Sequence, residues 1–107
     1  MGTSTKFYDA ERYDPARKWF VYDIEHFADH PRHLPVWRCA IEAGILLDDT
    51  AWADGEMEKM TTRYADDPRL GEQTLRPGRL FFNKKQYVYA RKWLMYTAEH
   101  FLDLEDS

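Results

Sequence analysis

One cysteine, five glycines and five prolines are all that the 107 residues hold of the types that most often define special architectures. A lone Cys39 cannot close an internal disulfide, so a disulfide scaffold is excluded and the reducing cytoplasm is the expected location. Gly and Pro at these levels exclude collagen-like and low-complexity chains. Long apolar runs are missing as well. No stretch approaches the ~20 residues that a membrane-spanning helix needs, and nothing near Met1 reads as the apolar core of a signal peptide. The chain carries no GxSxG elbow, phosphate-binding loop or Rossmann glycine pattern, and Cys39 has no evident partner for nucleophilic work. Glu25-His26 and Glu99-His100 are sequence neighbours, which point about 100° apart on a helix. That suits neither a general-base pair nor the Glu-x-x-His pattern of di-iron bundles. The expectation is a protein that is not an enzyme and needs no cofactor.

What the chain does have is aromatic mass. Four Trp, seven Tyr and six Phe make up 16% of the residues, and 44% are hydrophobic. Such side chains bury large areas, so one compact domain over residues 1–107 is expected. The net charge of −4 hides segregation along the chain. Residues 42–72 hold nine acids against Lys59, Arg63 and Arg69, whereas residues 74–97 hold six bases and no acid. Either block is a solvated helix face in the plainest reading. Together they also make a dipolar surface that steers a charged partner.

Periodicity points to helices. Asp14-Pro15 suits a helix start, and Ala16, Phe20, Ile24 and Phe27 recur as a core stripe up to about residue 29, before Pro31. Residues 34–47 are apolar nearly all round, which marks a buried central helix. Asp48 or Asp49 suits the cap of a third helix carrying Ala53, Met57, Met60 and Tyr64, weakened by Gly55. Asp67-Pro68, Gly71 and Pro77-Gly78 read as loop or short turns, with Leu80–Phe82 a lead-in. A last helix is expected from an Asn83 cap, with Gln86 completing a capping box and Phe82 and Tyr87 at the staple positions, to about Leu102. The fold class is therefore all-α, a small helical bundle of about four helices.

An internal repeat is the most informative feature. Residues 16–29 read ARKWFVYDIEHFAD and residues 90–103 read ARKWLMYTAEHFLD, with nine of fourteen positions identical. The match extends upstream, where Phe7, Tyr8, Asp9 and Tyr13 align with Phe81, Phe82, Asn83 and Tyr87. Duplication of one helical unit is inferred, without the third repeat that a solenoid needs. The alignment offers an alternative start for the first helix near Asp9, with Pro15 inside it. The two segments differ on or beside the core stripe and agree across the other face, at Lys18, Trp19, Tyr22, Glu25 and His26 and at Lys92, Trp93, Tyr96, Glu99 and His100. A helix kept only for packing would let that face drift. Trp and Tyr are frequent anchors of binding interfaces, so the doubled face is the candidate partner-binding surface.

Two other constellations carry chemistry. His26, His30, His33 and Cys39 are ligand types suited to tetrahedral zinc, although His26 recurs as His100 without companions and helix C-termini favour His in any case. Arg76, Arg79, Lys84, Lys85 and Arg91 are interleaved with Phe81, Phe82, Tyr87 and Tyr89, a pattern that neutralises phosphates and stacks on unpaired bases. The pI near 5.5 speaks against nucleic acid. The leading expectation is a protein-interaction module acting as adaptor, regulator or inhibitor, a character common among viral and mobile-element inhibitors of host machinery. It would act as a monomer or homodimer with a protein partner and no membrane; nucleic-acid binding and a metal-dependent role are the alternatives.

Overall fold

The structure, a computed structural model, describes the backbone of residues 2–101 and the side chains of residues 13–101. Five helices span these residues: α1 (Gly2–His26), α2 (His33–Leu46), α3 (Thr50–Arg63), α4 (Leu70–Asn83) and α5 (Tyr87–His100). The most apolar segment takes the centre. α2 packs against α1, α3 and α4, while α5 lies on α4. Leu34, Ile41 and Ile45 of α2 meet Ala53, Met57 and Met60 of α3, Leu70 and Phe81 of α4, and Ala90 and Trp93 of α5 in one buried cluster. No helix among the described residues is long and apolar enough to cross a membrane.

The expected fourfold count gives way to five because residues 70–83 form a helix rather than a loop. Pro77 and Gly78 sit inside it, both buried. The Pro removes one backbone hydrogen bond. Packing compensates: a Cβ on Gly78 would stand 2.9 Å from Leu94 Cδ2, so the missing side chain leaves room for Leu94 of α5 to pack against α4. The buried hydroxyls of Thr74 and Thr97 meet at 2.6 Å in the same contact. Arg38 of α2 donates to Gln73 of α4 at 2.7 Å.

The links follow one design. After α2, Asp48 takes φ 63°. Its N–H reaches the Ile45 carbonyl and that of Asp49 reaches the Gly44 carbonyl. After α4, Lys85 takes φ 63°, with Lys85 N–H on Phe82 and Gln86 N–H on Phe81. Both are Schellman closures, in which the left-handed residue and the one after it each return an N–H to an orphan carbonyl of the last turn. The two turns also touch, through Lys84 and Asp48 at 3.1 Å. Asn83 thus ends α4 instead of capping α5, whose N-cap is Gln86 without a side-chain cap bond. The Phe82–Tyr87 contact exists, edge to face at 5.4 Å, but it bridges two helices.

α1 runs through Pro15, as the alternative reading placed it, rather than starting at Asp14-Pro15, but it begins at Gly2, ahead of the Asp9 start that the alignment offered. It ends at His26, three residues short of the expected end, and Phe27 beyond it is 54% exposed instead of completing the core stripe. The side chains of Phe7, Tyr8 and Asp9, and all of Leu102 and Asp103, lie outside the described residues.

Candidate interaction surface

Spacing of three and four residues puts Trp, Tyr and His on one helix face, and both matching segments build the same ladder of rings from them. In α1, Trp19 meets Tyr22 edge to face with centroids 6.4 Å apart. Tyr22 stacks on His26 at 4.0 Å. In α5, Trp93 meets Tyr96 edge to face at 5.5 Å, and Tyr96 stacks on His100 at 4.2 Å. Each imidazole is fixed by its own helix: Nδ1–H of His26 donates to the Tyr22 carbonyl and that of His100 to the Tyr96 carbonyl, both at 2.9 Å. Because a carbonyl only accepts, Nδ1 carries the proton in both rings.

The surroundings of the two ladders differ. In α5 the ladder is docked on α3. Lys92 Nζ lies 3.0 Å from both Asp54 and Glu58, which are one helical turn apart. Trp93 Nε1 donates to Asp54 Oδ1 at 2.8 Å, and the Lys92 ammonium sits 4.9 Å from the Trp93 ring centroid. Trp93 is only 3% exposed. Burial alone lowers the Lys92 pKa, but the bonds and charges of Asp54 and Glu58 outweigh it and hold the ammonium above its ordinary value. Burial raises the Tyr96 phenol, partly offset by Thr61.

In α1 the ladder is open. Trp19 is 70% and Tyr22 48% exposed, and the Lys18 side chain is 77% exposed beside Asp14 at 3.6 Å. Glu25 and His26 are exposed too. α1 meets α3 through the neighbouring position instead: Arg17 donates to Asp49 at 2.8 Å, and its guanidinium lies 5.0 Å from the Trp52 ring centroid. The two copies of the expected face are thus placed differently: Trp93 is buried and the partly exposed Lys92 pairs with α3, while Glu99 and His100 remain exposed beyond them.

Lys18 also stands at the rim of a cleft of about 610 Å³ between α1, α2 and α3. Val21, Ile24, Trp37 and Trp52 contribute apolar walls, and Glu56, Lys59 and Arg63 contribute charge. Much of that charge is engaged within the fold: Glu56 accepts from Trp37 Nε1 at 3.2 Å and pairs with Lys59 at 3.1 Å. Buried His33 is also engaged. It donates from Nε2 to the Ile24 carbonyl at 2.9 Å, which leaves Nδ1 to accept the Tyr64 hydroxyl.

The four metal-ligand candidates are not brought together. Among the described residues no three His, Cys, Asp or Glu side chains are grouped for a metal ion. His33 points to Tyr64 and Ile24, and His26 stacks on Tyr22. His30 Nδ1 accepts from the Arg32 backbone, while Cys39 faces Tyr13 and Phe20 across a separate groove. The basic set is divided as well. Arg76 pairs with Glu72 at 3.8 Å and Lys84 with Asp48 at 3.1 Å, whereas Arg79, Lys85 and Arg91 are exposed. Sequence reasoning missed Asp54 and Glu58 as partners of the second ladder; their four-residue spacing on a helix was the available signal.

No protein-family model matches the chain, and no significant match is found among curated proteins or solved structures.

Proposed function

We propose that the protein is a non-catalytic protein-interaction module, an adaptor, regulator or inhibitor working in the cytoplasm, and that its contact face is Lys18, Trp19, Tyr22, Glu25 and His26 of α1. The observation that carries this reading is the contrast between matching tryptophans, Trp93 at 3% exposure and Trp19 at 70%. A Trp ring left in water forgoes the stabilisation that burial gives, and the next rings of the ladder are already ordered beside it. Preorganised aromatic side chains of this kind are what interface hot spots use. Duplication of a helical unit explains the pair: one copy took on a packing role and the other kept its face. The test is affinity capture on the folded protein from the cell of origin. A stoichiometric protein partner lost on Trp19→Ala supports the reading; a partner retained at full yield by that variant contradicts it.

A second reading is nucleic-acid binding, supported by Arg91 beside the half-exposed rings of Phe82 and Tyr87 on the α4–α5 edge. Its signature is a steep loss of affinity with salt. Absence of binding to single-stranded and duplex probes at low salt removes it.

A further inference from the structure

We propose that the open α1 face takes an acidic helix of a partner protein, one presenting two carboxylates a single turn apart in the manner of Asp54 and Glu58. This rests on the reading of α1 as the contact face and specifies what covers it. The molecule supplies its own template. The Lys-Trp-x-x-Tyr-x-x-x-His pattern of α5 is satisfied by α3: the Lys92 ammonium lies between Asp54 and Glu58 at 3.0 Å each, and the Trp93 N–H is on Asp54 at 2.8 Å. Carboxylates at i and i+4 lie on one helix face, which is why a single ammonium reaches both. In α1 the same donors occur in the same order, Lys18 then Trp19, with the same edge-to-face and stacked rings behind them.

Availability favours a foreign helix. Asp54 and Glu58 are already held by Lys92, so neither this chain's α3 nor that of a second copy is free to serve. Among the described residues Lys18 is tied only to Asp14, at 3.6 Å across exposed surface, and such pairs exchange at little cost. The template favours protein over nucleic acid, because what satisfies Lys92 and Trp93 is a protein helix. Asp14 and Glu25, next to Lys18 and Trp19, oppose any anion, so the two carboxylates have to meet the Lys18 ammonium and the Trp19 N–H directly.

The probe is a synthetic peptide with the sequence of residues 48–64, helically stapled between positions 52 and 56, on the side of the helix away from the acids. It is titrated into the isotopically labelled full chain. The four indole N–H signals report separately, so a shift at Trp19 with Trp93 unmoved locates binding on α1 and shows that α3 has not been displaced. A control peptide carries Asp54→Asn and Glu58→Gln. Saturable movement of the Trp19 signal, weakened about tenfold or more in the control peptide and in the Lys18→Glu protein, supports the proposal. Equal response to both peptides, no response to either, or a larger response to a single-stranded oligonucleotide overturns it. Failure here is separable from failure of the functional reading. Capture of a protein by a photo-cross-linker at exposed position 15, one turn before the retained Trp19, alongside an inert acidic peptide removes only the acidic helix, whereas absence of any protein at position 15 removes both.

Discussion

The Trp93 indole donates to Asp54 Oδ1 at 2.8 Å, clamping α5 onto α3 through a tryptophan that is almost fully buried. Trp19 occupies the matching place in α1 and faces solvent. Burial decides what each contributes to stability. Trp93→Ala is expected to cost about 3 to 5 kcal/mol, through lost transfer energy and a cavity. Trp19→Ala is expected to change stability by no more than about 0.5 kcal/mol. Urea unfolding of both variants checks the contrast.

Two helix glycines are expected to respond with opposite sign. A Cβ at Gly78 would meet Leu94 Cδ2 at 2.9 Å and Cγ at 3.2 Å, so Gly78→Ala forces the Leu94 side chain to shift within the α4–α5 contact. The expected cost is about 1 to 3 kcal/mol. At Gly55 nothing lies within 4 Å of the added atom. Gly55→Ala is therefore expected to stabilise by about 0.5 to 1 kcal/mol, by restricting the unfolded chain and improving helix propensity. Thermal unfolding of the two variants side by side tests both signs.

Lys85 holds φ at 63° in the Schellman closure between α4 and α5. An L side chain in that region costs roughly 1 kcal/mol, a penalty glycine avoids. Lys85→Gly is expected to leave the fold unchanged and raise the urea midpoint slightly. A lower midpoint would show that the lysine side chain contributes more than its backbone costs.

Alkaline pH is expected to loosen the α3–α5 contact. The Lys92 pKa in the folded protein is raised above 10.5, and that of Tyr96 above 10.0. For groups raised on folding, the added stability is complete below the unfolded pKa and is lost as pH rises through the folded value. Stability should therefore fall above about pH 10, and Lys92→Met should flatten part of that fall. Equilibrium unfolding between pH 9 and 11 on both proteins measures it.

The readable parts of the sequence are those where one physical signal dominates. α2 is apolar nearly all round and is the central helix. Ala53, Met57 and Met60 of α3 keep their register and are buried. α4 was hidden because Gly71, Pro77 and Gly78 are turn formers by local preference, and only tertiary packing against Leu94 turns Gly78 into a contact residue. The helix boundary after Asn83 was hidden for a related reason: the left-handed position holds Lys85, where glycine would have announced it. Of the candidate surface, the ring ladders were legible from spacing alone. Which of the two is open was not, because that depends on Asp54 and Glu58 lying beside Lys92 and Trp93, a contact 34 to 39 residues apart in sequence.

The most direct measurement is site-specific photo-cross-linking in the cell of origin, with a benzophenone amino acid at exposed Pro15, one turn before Trp19 on the same face, and, as control, at exposed Glu72 on α4. A face built for a protein partner gives one dominant cross-linked protein at position 15 that is absent at position 72 and is lost when Trp19→Ala is added. No cross-linked protein at position 15, or the same pattern at both positions, would contradict the assignment of the α1 ladder as the interaction surface.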